Sequence, residues 1–249
     1  MIFSFSATGN SLHLAKAVAE RTGDEVREVW RMPEAVTDVS SEPSVGFVFP
    51  VWYYDMPDRL KEIIRTGFRF GQDQMVWAVM DYGTFPGSAC ARTVKFFSSV
   101  GVDLRFALSY RMPENYIMMF DSPSDREVEE QLSKVQDYAC EVAEEIALQD
   151  VLRPRFSAVG SLASCVLHPF YGVLRRTRRF RSTDDCNGCG TCRDICPARV
   201  ISIESGRPVW TAPRCLDCAA CINRCPEHAI EYGGDSHSRK RYINPFSGY

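Results

Sequence analysis

The chain has 249 residues, 45% of them hydrophobic and 24% charged, with a formal net charge of −3. That is length enough for two domains of ordinary size, and apolar content ample for a core. No apolar run reaches the ~18 residues of a membrane-crossing helix, and the opening Met1-Ile2-Phe3 carries no basic stretch or cleavage site, so the expectation is a cytoplasmic protein without a transmembrane segment.

The net charge conceals an asymmetry. Residues 1–150 hold 14 Lys+Arg against 24 Asp+Glu, residues 151–181 hold seven arginines and no acid, and residues 182–249 hold eight of each sign. Composition therefore breaks near 150 and near 182. The first part alternates short apolar runs with helical patterns, which predicts a doubly wound α/β domain over 1–150. In chain order the pattern predicts a strand at Met1–Phe5, a helix from about Ser11 to Arg21 and a weak strand at Glu25–Val29. A buried strand at Val45–Phe49 ends at Pro50, and Pro57–Thr66 reads as a helix. Met75–Met80 is the next strand, Ser88–Val100 the next helix, and Leu104–Ser109 the fifth strand. The segment Trp30–Pro43 is too poor in periodic apolar residues to read as a helix. Across Asp125–Gln149 the apolar residues Val128, Leu132, Val135, Ala139, Val142 and Ile146 fall on one helical face.

The first strand runs directly into Ser6-Ala7-Thr8-Gly9-Asn10-Ser11 and then a helix. Small residues let backbone approach a phosphate, the hydroxyls of Ser6, Thr8 and Ser11 can bond its oxygens, and a helix N-terminus favours the charge. The same six residues also read as a plain strand-to-helix turn with an N-cap. Two later strand ends would lie at the same carboxyl edge of the sheet. They carry Pro50-Val51-Trp52-Tyr53-Tyr54 and Asp81-Tyr82-Gly83-Thr84-Phe85-Pro86-Gly87. Trp52, Tyr53, Tyr54 and Tyr82 can stack on a flat ring, and Gly83 and Gly87 allow close backbone approach. For each aromatic the competing reading is core packing. No Gly-x-Gly-x-x-Gly or P-loop pattern occurs.

Residues 151–181 form an arginine-rich linker, with Arg153 and Arg155 at one end and Arg175, Arg176, Arg178, Arg179 and Arg181 at the other. It reads as a clasp on the acidic first domain, as a docking surface for an acidic redox partner, or as an interfacial membrane segment. Residues 182–234 then carry two copies of Cys-x-x-Cys-x-x-Cys-x-x-x-Cys-Pro: Cys186, Cys189, Cys192, Cys196 with Pro197, and Cys215, Cys218, Cys221, Cys225 with Pro226. Every member recurs 29 positions later. Three closely spaced thiolates can wrap one face of a cubane cluster, but so short a loop cannot also deliver the fourth sulfur, which in two-cluster proteins ligates the other cluster. The predicted ligand sets are Cys186, Cys189, Cys192 and Cys225 for one 4Fe–4S cluster, and Cys215, Cys218, Cys221 and Cys196 for the second. Zinc sites usually space paired knuckles by a long insert, so this is a poor zinc pattern. Disulfides would need an oxidising compartment. Residues 235–249 are a tail. Cys90, Cys140 and Cys165 fit no ligand spacing and read as small buried hydrophobes. His13 reads as a helix-surface residue, within approach of the phosphate loop.

Ser-x-Thr-Gly-x-Ser after an N-terminal strand resembles the phosphate loop of flavodoxins, whose sheet has the order 2-1-3-4-5. The whole chain, a flavodoxin-like half joined to a small α+β two-cluster half, resembles the EFR1-type ferredoxins. Met112-Pro113-Glu114-Asn115-Tyr116 and the closing Arg241-Tyr242-Ile243-Asn244-Pro245 also match. The resemblance implies FMN in the first domain and electron transfer between flavin and clusters, with a redox partner protein that is either a low-potential donor or a reductase acceptor. A basic patch such as the arginine-rich linker is also the footprint of nucleic-acid binding, but the clusters supply the better explanation, so no nucleic acid is expected; the oligomeric state is left open. The Met112–Asn115 segment reads as a cap on the flavin site or as a structural loop. The alternative function is a flavin-dependent reductase acting on an organic substrate, with Tyr53, Tyr54, Tyr82 or Tyr116 as proton donor. An oxygen-sensing regulator is a third class.

Overall fold

The computed structural model describes residues 1–32, 35–148, 171, 175–234 and 236–249. The chain forms two compact units. One comprises Met1–Ser6, Asn10–Pro113 and Asp125–His168, the other Ala7–Gly9, Glu114–Ser124 and Pro169–Tyr249. The division is thus not a single cut in the sequence. A tripeptide of the first loop and the segment before the acidic helices both belong with the cysteine-rich unit.

In the first unit five strands form one parallel sheet: β1 Ile2–Ser4, β2 Val26–Glu28, β3 Ser44–Pro50, β4 Met75–Tyr82 and β5 Leu104–Arg111. The order is 2-1-3-4-5, the flavodoxin-like doubly wound arrangement. Side chains alternate across it. Phe3, Phe5, Phe47 and Phe49 face α2 (Asp58–Gly67) and α3 (Ala89–Ser99), packing with Leu60, Ile64, Phe96 and Phe97. Ile2, Val48, Trp77, Val79 and Phe106 face the opposite way. They pack with Leu14 and Val18 of α1 (Asn10–Thr22) and with Leu132, Val135, Ala139 and Val142. Burial on both faces is why these strands read as unbroken apolar runs. At Gly46 the Trp77 indole lies so close that a Cβ would sit 2.1 Å from its ring, so any side chain there would displace the largest buried residue of the core.

The acidic stretch keeps its apolar stripe but is two helices, α4 Asp125–Leu132 and α5 Val135–Leu148. Between them the Ser133 hydroxyl donates to the Glu130 carbonyl at 2.9 Å, the local competition for backbone acceptors that makes serine a poor helix-interior residue. Among the described residues of 29–43 there are a helical turn, Val29–Arg31, and a two-residue bridge in which Thr37–Asp38 pairs with Phe68–Arg69. Among the described residues no helix is long and apolar enough to cross a membrane.

The second unit pairs β6 Phe180–Ser182 with β9 Ile230–Tyr232, and β7 Ile201–Glu204 with β8 Arg207–Trp210, each antiparallel. Two single-turn helices, α6 Thr191–Asp194 and α7 Ala220–Asn223, complete this small α+β fold. The 29-residue repeat is written into the backbone. Left-handed conformations at Gly188, Gly190 and Arg199 recur at Asp217, Ala219 and His228. Gly190 and Ala219 immediately precede the two helical turns, so each copy enters its helix through the same bend.

Candidate cofactor sites

The eight motif cysteines line two small cavities in the second unit. Cys196, Cys215, Cys218 and Cys221 surround one, with Phe180, Ile201, Trp210 and Leu216 as apolar wall. Cys186, Cys189, Cys192 and Cys225 surround the other, with Ile203, Pro208 and Ile230. Each cavity therefore takes three cysteines from one run and the last cysteine of the other run. Among the described residues no three His, Cys, Asp or Glu converge as ligands of a single metal ion would; the thiols ring a space instead.

The two cavities differ in exposure. Burial pushes the Cys215 thiol up to about 12 and raises Cys218 and Cys221 as well. In the other set, burial pushes Cys192 up to about 11. Cys189 is exposed, and the Thr191 hydroxyl, with its sulfur 3.3 Å away, holds it below the usual thiol range. Buried thiols resist giving up protons unless a cationic metal core replaces them, so these walls fit a cluster. Backbone N–H groups of Asp217 and Ala229 donate to Cys215 and Cys225 sulfur, both at 3.3 Å, the kind of bond that tunes a cluster. Asp217 itself is buried, and the Tyr116 hydroxyl donates to its carboxylate.

In the first unit, the two aromatic loops meet at the carboxyl ends of β3 and β4. Pro50, Asp81 and Tyr82 are the last residues of those strands, Pro50 opposite Asp81, where the sequence pattern ended both strands one or two residues earlier. Trp52 turns to the core, edge-on to Phe5 at 5.6 Å. Trp52 and Asp55 then exchange both backbone hydrogen bonds, at 3.0 and 3.1 Å, around Tyr53 and Tyr54. Both tyrosines have positive φ, 48° and 67°, so the turn is of the primed type that ordinarily takes Asn-Gly. Two bulky residues there are held by their surroundings. Asp55 supplies the hold. It is buried, accepts from the Met56 N–H at 2.7 Å, and pairs with Lys61 at 2.7 Å and Arg92 at 3.4 Å. Tyr54 meets Phe85 of the neighbouring loop with ring centroids 6.1 Å apart. Burial raises the Tyr82 hydroxyl, and Arg111 donates to the Gly83 carbonyl at 3.0 Å. Val51 is fixed by its N–H to Asp81 O, 2.8 Å. Thr84 is exposed, and Gly87 is left-handed at φ 58°.

The loop after β1 is divided between the units, with Ser6, Asn10 and Ser11 in the first and Ala7, Thr8 and Gly9 in the second. In the first unit the Ser11 hydroxyl donates to the buried Asp81 carboxylate, and the Asn10 amide donates to the Pro113 carbonyl at 2.9 Å. Ser11, one of the hydroxyls expected for a phosphate, thus serves Asp81. In the middle of the loop Gly9 is left-handed at φ 101°, no side chain is larger than threonine, and the Thr8 hydroxyl accepts from Asn115 at 2.6 Å, keeping its own proton to donate. Ala7 and Thr8 are buried within the second unit.

His13 sits half-buried on α1, and that burial lowers its pKa. Cys90 packs against the core, which raises its thiol, and Cys140 is half-buried; Cys165 lies outside the described residues. Arg153 and Arg155 also lie outside them. Of the other arginines, Arg175 covers the Tyr171 ring and Arg179 the Tyr232 ring, both at 4.6 Å, inside their own unit. Sequence reasoning named Phe85 only as part of its loop and missed Asp55, Lys61, Arg92 and Asp217. Of these, only Asp217 left a mark in the sequence, as an acid between two motif cysteines.

Residues 185–230 match the family described as 4Fe-4S dicluster domain. No curated protein matches the chain. Among solved structures, a putative flavoprotein from Bacteroides uniformis is similar at 15% identity, covering 55% of this chain and 95% of its own, with a TM-score of 0.40. An archaeal flavodoxin matches at 14% identity over 59% of this chain and 96% of its own, TM-score 0.39. A flavodoxin from Streptococcus pneumoniae matches at 15%, over 57% and 97%, TM-score 0.35.

Proposed function

We propose that this chain is an electron-transfer iron–sulfur flavoprotein holding two 4Fe–4S clusters and FMN, and exchanging electrons with a redox partner protein. The observation that carries the reading is the make-up of the two cavities: each has four cysteine thiols, three from one run and one from the other. When bound, the clusters supply one-electron steps and the flavin one- or two-electron steps, and the protein supplies position and electrostatics. The cysteines would hold the clusters as thiolates, with Cys189 on the surface as the point nearest an external donor or acceptor. Thr8 and the backbone of Ala7–Gly9 would hold the flavin phosphate, and Tyr53, Tyr54 and Phe85 the ring. Asp55, with Lys61 and Arg92, keeps the tyrosine turn in place.

The test is anaerobic purification and cofactor analysis. The reading requires about eight iron atoms with matching acid-labile sulfide, and about one FMN, per chain. About two zinc ions without sulfide would overturn the cluster assignment, and a loaded protein that neither retains nor rebinds FMN would overturn the flavin assignment.

A further inference from the structure

Within the second unit, a chain of buried and part-buried hydrogen bonds runs from the cysteine motif to the middle of the first loop. Asn223 lies between Cys221, which lines one cavity, and Cys225, which lines the other. Its side chain is buried and used at both ends. The amide nitrogen donates to the Asn115 carbonyl at 2.9 Å, and the oxygen accepts from the Tyr242 N–H at 3.0 Å. Both branches end on Thr8. The Asn115 side chain donates to the Thr8 hydroxyl at 2.6 Å, and the Asn244 N–H, two residues beyond Tyr242, donates to the Thr8 carbonyl at 2.8 Å.

The second branch is rigid. Asn244 and Ser247 are buried, and the Ser247 hydroxyl donates back to the Asn244 carbonyl at 2.7 Å. Arg224, the next residue after Asn223, covers the Tyr249 ring at 3.8 Å. Gly9 makes room for this segment. A Cβ there would lie 2.3 Å from the Ser247 Cβ and 3.1 Å from the Asn244 Cβ. The left-handed glycine of the loop is therefore required twice, by its own backbone and by the segment packed on it.

We propose that Asn223 is a positioning residue that carries the state of the cysteine-lined unit to the phosphate loop through Asn115 and Asn244, so that Thr8 and Gly9 are set for a phosphate only while that unit is loaded. The residue sits on a helical turn followed closely by Cys225: Cys221 on the turn lines one cavity and Cys225 just beyond it lines the other. Emptying the cavities frees Cys221 and Cys225, and with them the turn that fixes Asn223. Asn223, Thr8 and Asn244 are buried, which makes the bonds they share costly to leave unmade. The proposal rests on the phosphate-loop reading above.

The test measures FMN affinity by flavin fluorescence in the full-length protein, alongside iron content, cluster EPR and amide hydrogen exchange at residues 7–9. Asn223→Ala should keep its iron and both cluster signals while binding FMN about tenfold more weakly, the order expected for one buried hydrogen bond lost. Exchange at residues 7–9 should rise. Chelating the iron from the unsubstituted protein should produce the same two changes. Unaltered FMN affinity and unaltered exchange in an iron-replete Asn223→Ala protein would overturn the proposal. If Asn223→Ala loses iron, Asn115→Ala breaks the path away from the cysteines and must show the same weakening; affinity equal to that of the unsubstituted protein would overturn the proposal as well. Were the unsubstituted protein to bind no FMN, the phosphate-loop reading would fail by itself. Exchange at residues 7–9 would then still decide whether the path exists, with protection that ignores both Asn223→Ala and iron removal counting against it.

Discussion

Arg241 and Glu231 form an ion pair at 2.7 Å with each side chain only 5% exposed. The arginine also donates to the Ile230 carbonyl at 2.9 Å and the Ser236 carbonyl at 2.8 Å, so one guanidinium gathers the end of β9 and the turn after it. Arg241→Met keeps the bulk of the stem and removes the charge, leaving the Glu231 carboxylate buried with the Ser236 hydroxyl as its remaining partner. Breaking one side of a buried pair costs about 3–5 kcal/mol, because the surviving charge is uncompensated. For a domain of this size each kcal/mol lowers the melting temperature by roughly 4–8 °C, so the loss should be on the order of 12 °C or more. The assay is thermal unfolding of the anaerobic, iron-loaded protein followed by circular dichroism. The double substitution Arg241→Met with Glu231→Leu removes both charges and should recover most of the loss, since apolar replacement of a buried pair is often neutral. A single variant that melts within about 3 °C of the parent would mean the pair is effectively solvated. A double variant as damaged as the single would mean packing, not charge, is responsible. Either result refutes the reasoning.

Crossed cavities predict that Cys225→Ser damages the cluster held by Cys186, Cys189 and Cys192, and Cys196→Ser the other; EPR showing each change confined to its own sequence run would contradict this. Asp55→Asn should release the Tyr53–Tyr54 turn and weaken FMN binding by about tenfold, by the loss of charge-assisted bonds, with iron content unchanged. His13 is held below its usual pKa by burial, so the folded state binds this proton less readily than the unfolded chain. Its contribution is complete above about pH 6.5 and is lost as pH falls below that value; His13→Gln should flatten the pH dependence of the denaturation midpoint there. Gly9→Ala should displace the Asn244–Ser247 segment, seen as faster hydrogen exchange at residues 242–248.

The α/β half was legible because its strands are buried on both faces, and runs such as Val45–Phe49 admit no other reading. The break at Ser133 was not, since the apolar stripe continues across it in phase. Cysteine spacing carried the second unit. Its repeated left-handed positions were half hidden, because Asp217 and Ala219 stand where the first copy has Gly188 and Gly190. Nothing local announces the tyrosine turn: residues that dislike positive φ occupy it, and the cause lies in Lys61 and Arg92, downstream on other elements. The path from Asn223 to Thr8 was out of reach for a different reason. Three of its four bonds join residues more than 100 positions apart, and three of its five members are asparagines that any loop could contain.

The sharing of cysteines between the two runs has a consequence for synthesis. A ribosome that has released residues up to Pro213 has delivered four of the eight cysteines, yet neither cavity then has its four walls, because one lacks Cys225 and the other lacks Cys215, Cys218 and Cys221. The Cys196 cavity closes on paper when Cys221 emerges and its neighbour four residues later, so both become competent almost at once. Metal delivery to this region is thus all-or-nothing in time as well as in space, and a chain interrupted between the two runs would leave four thiols exposed to oxidation with no vessel to protect them.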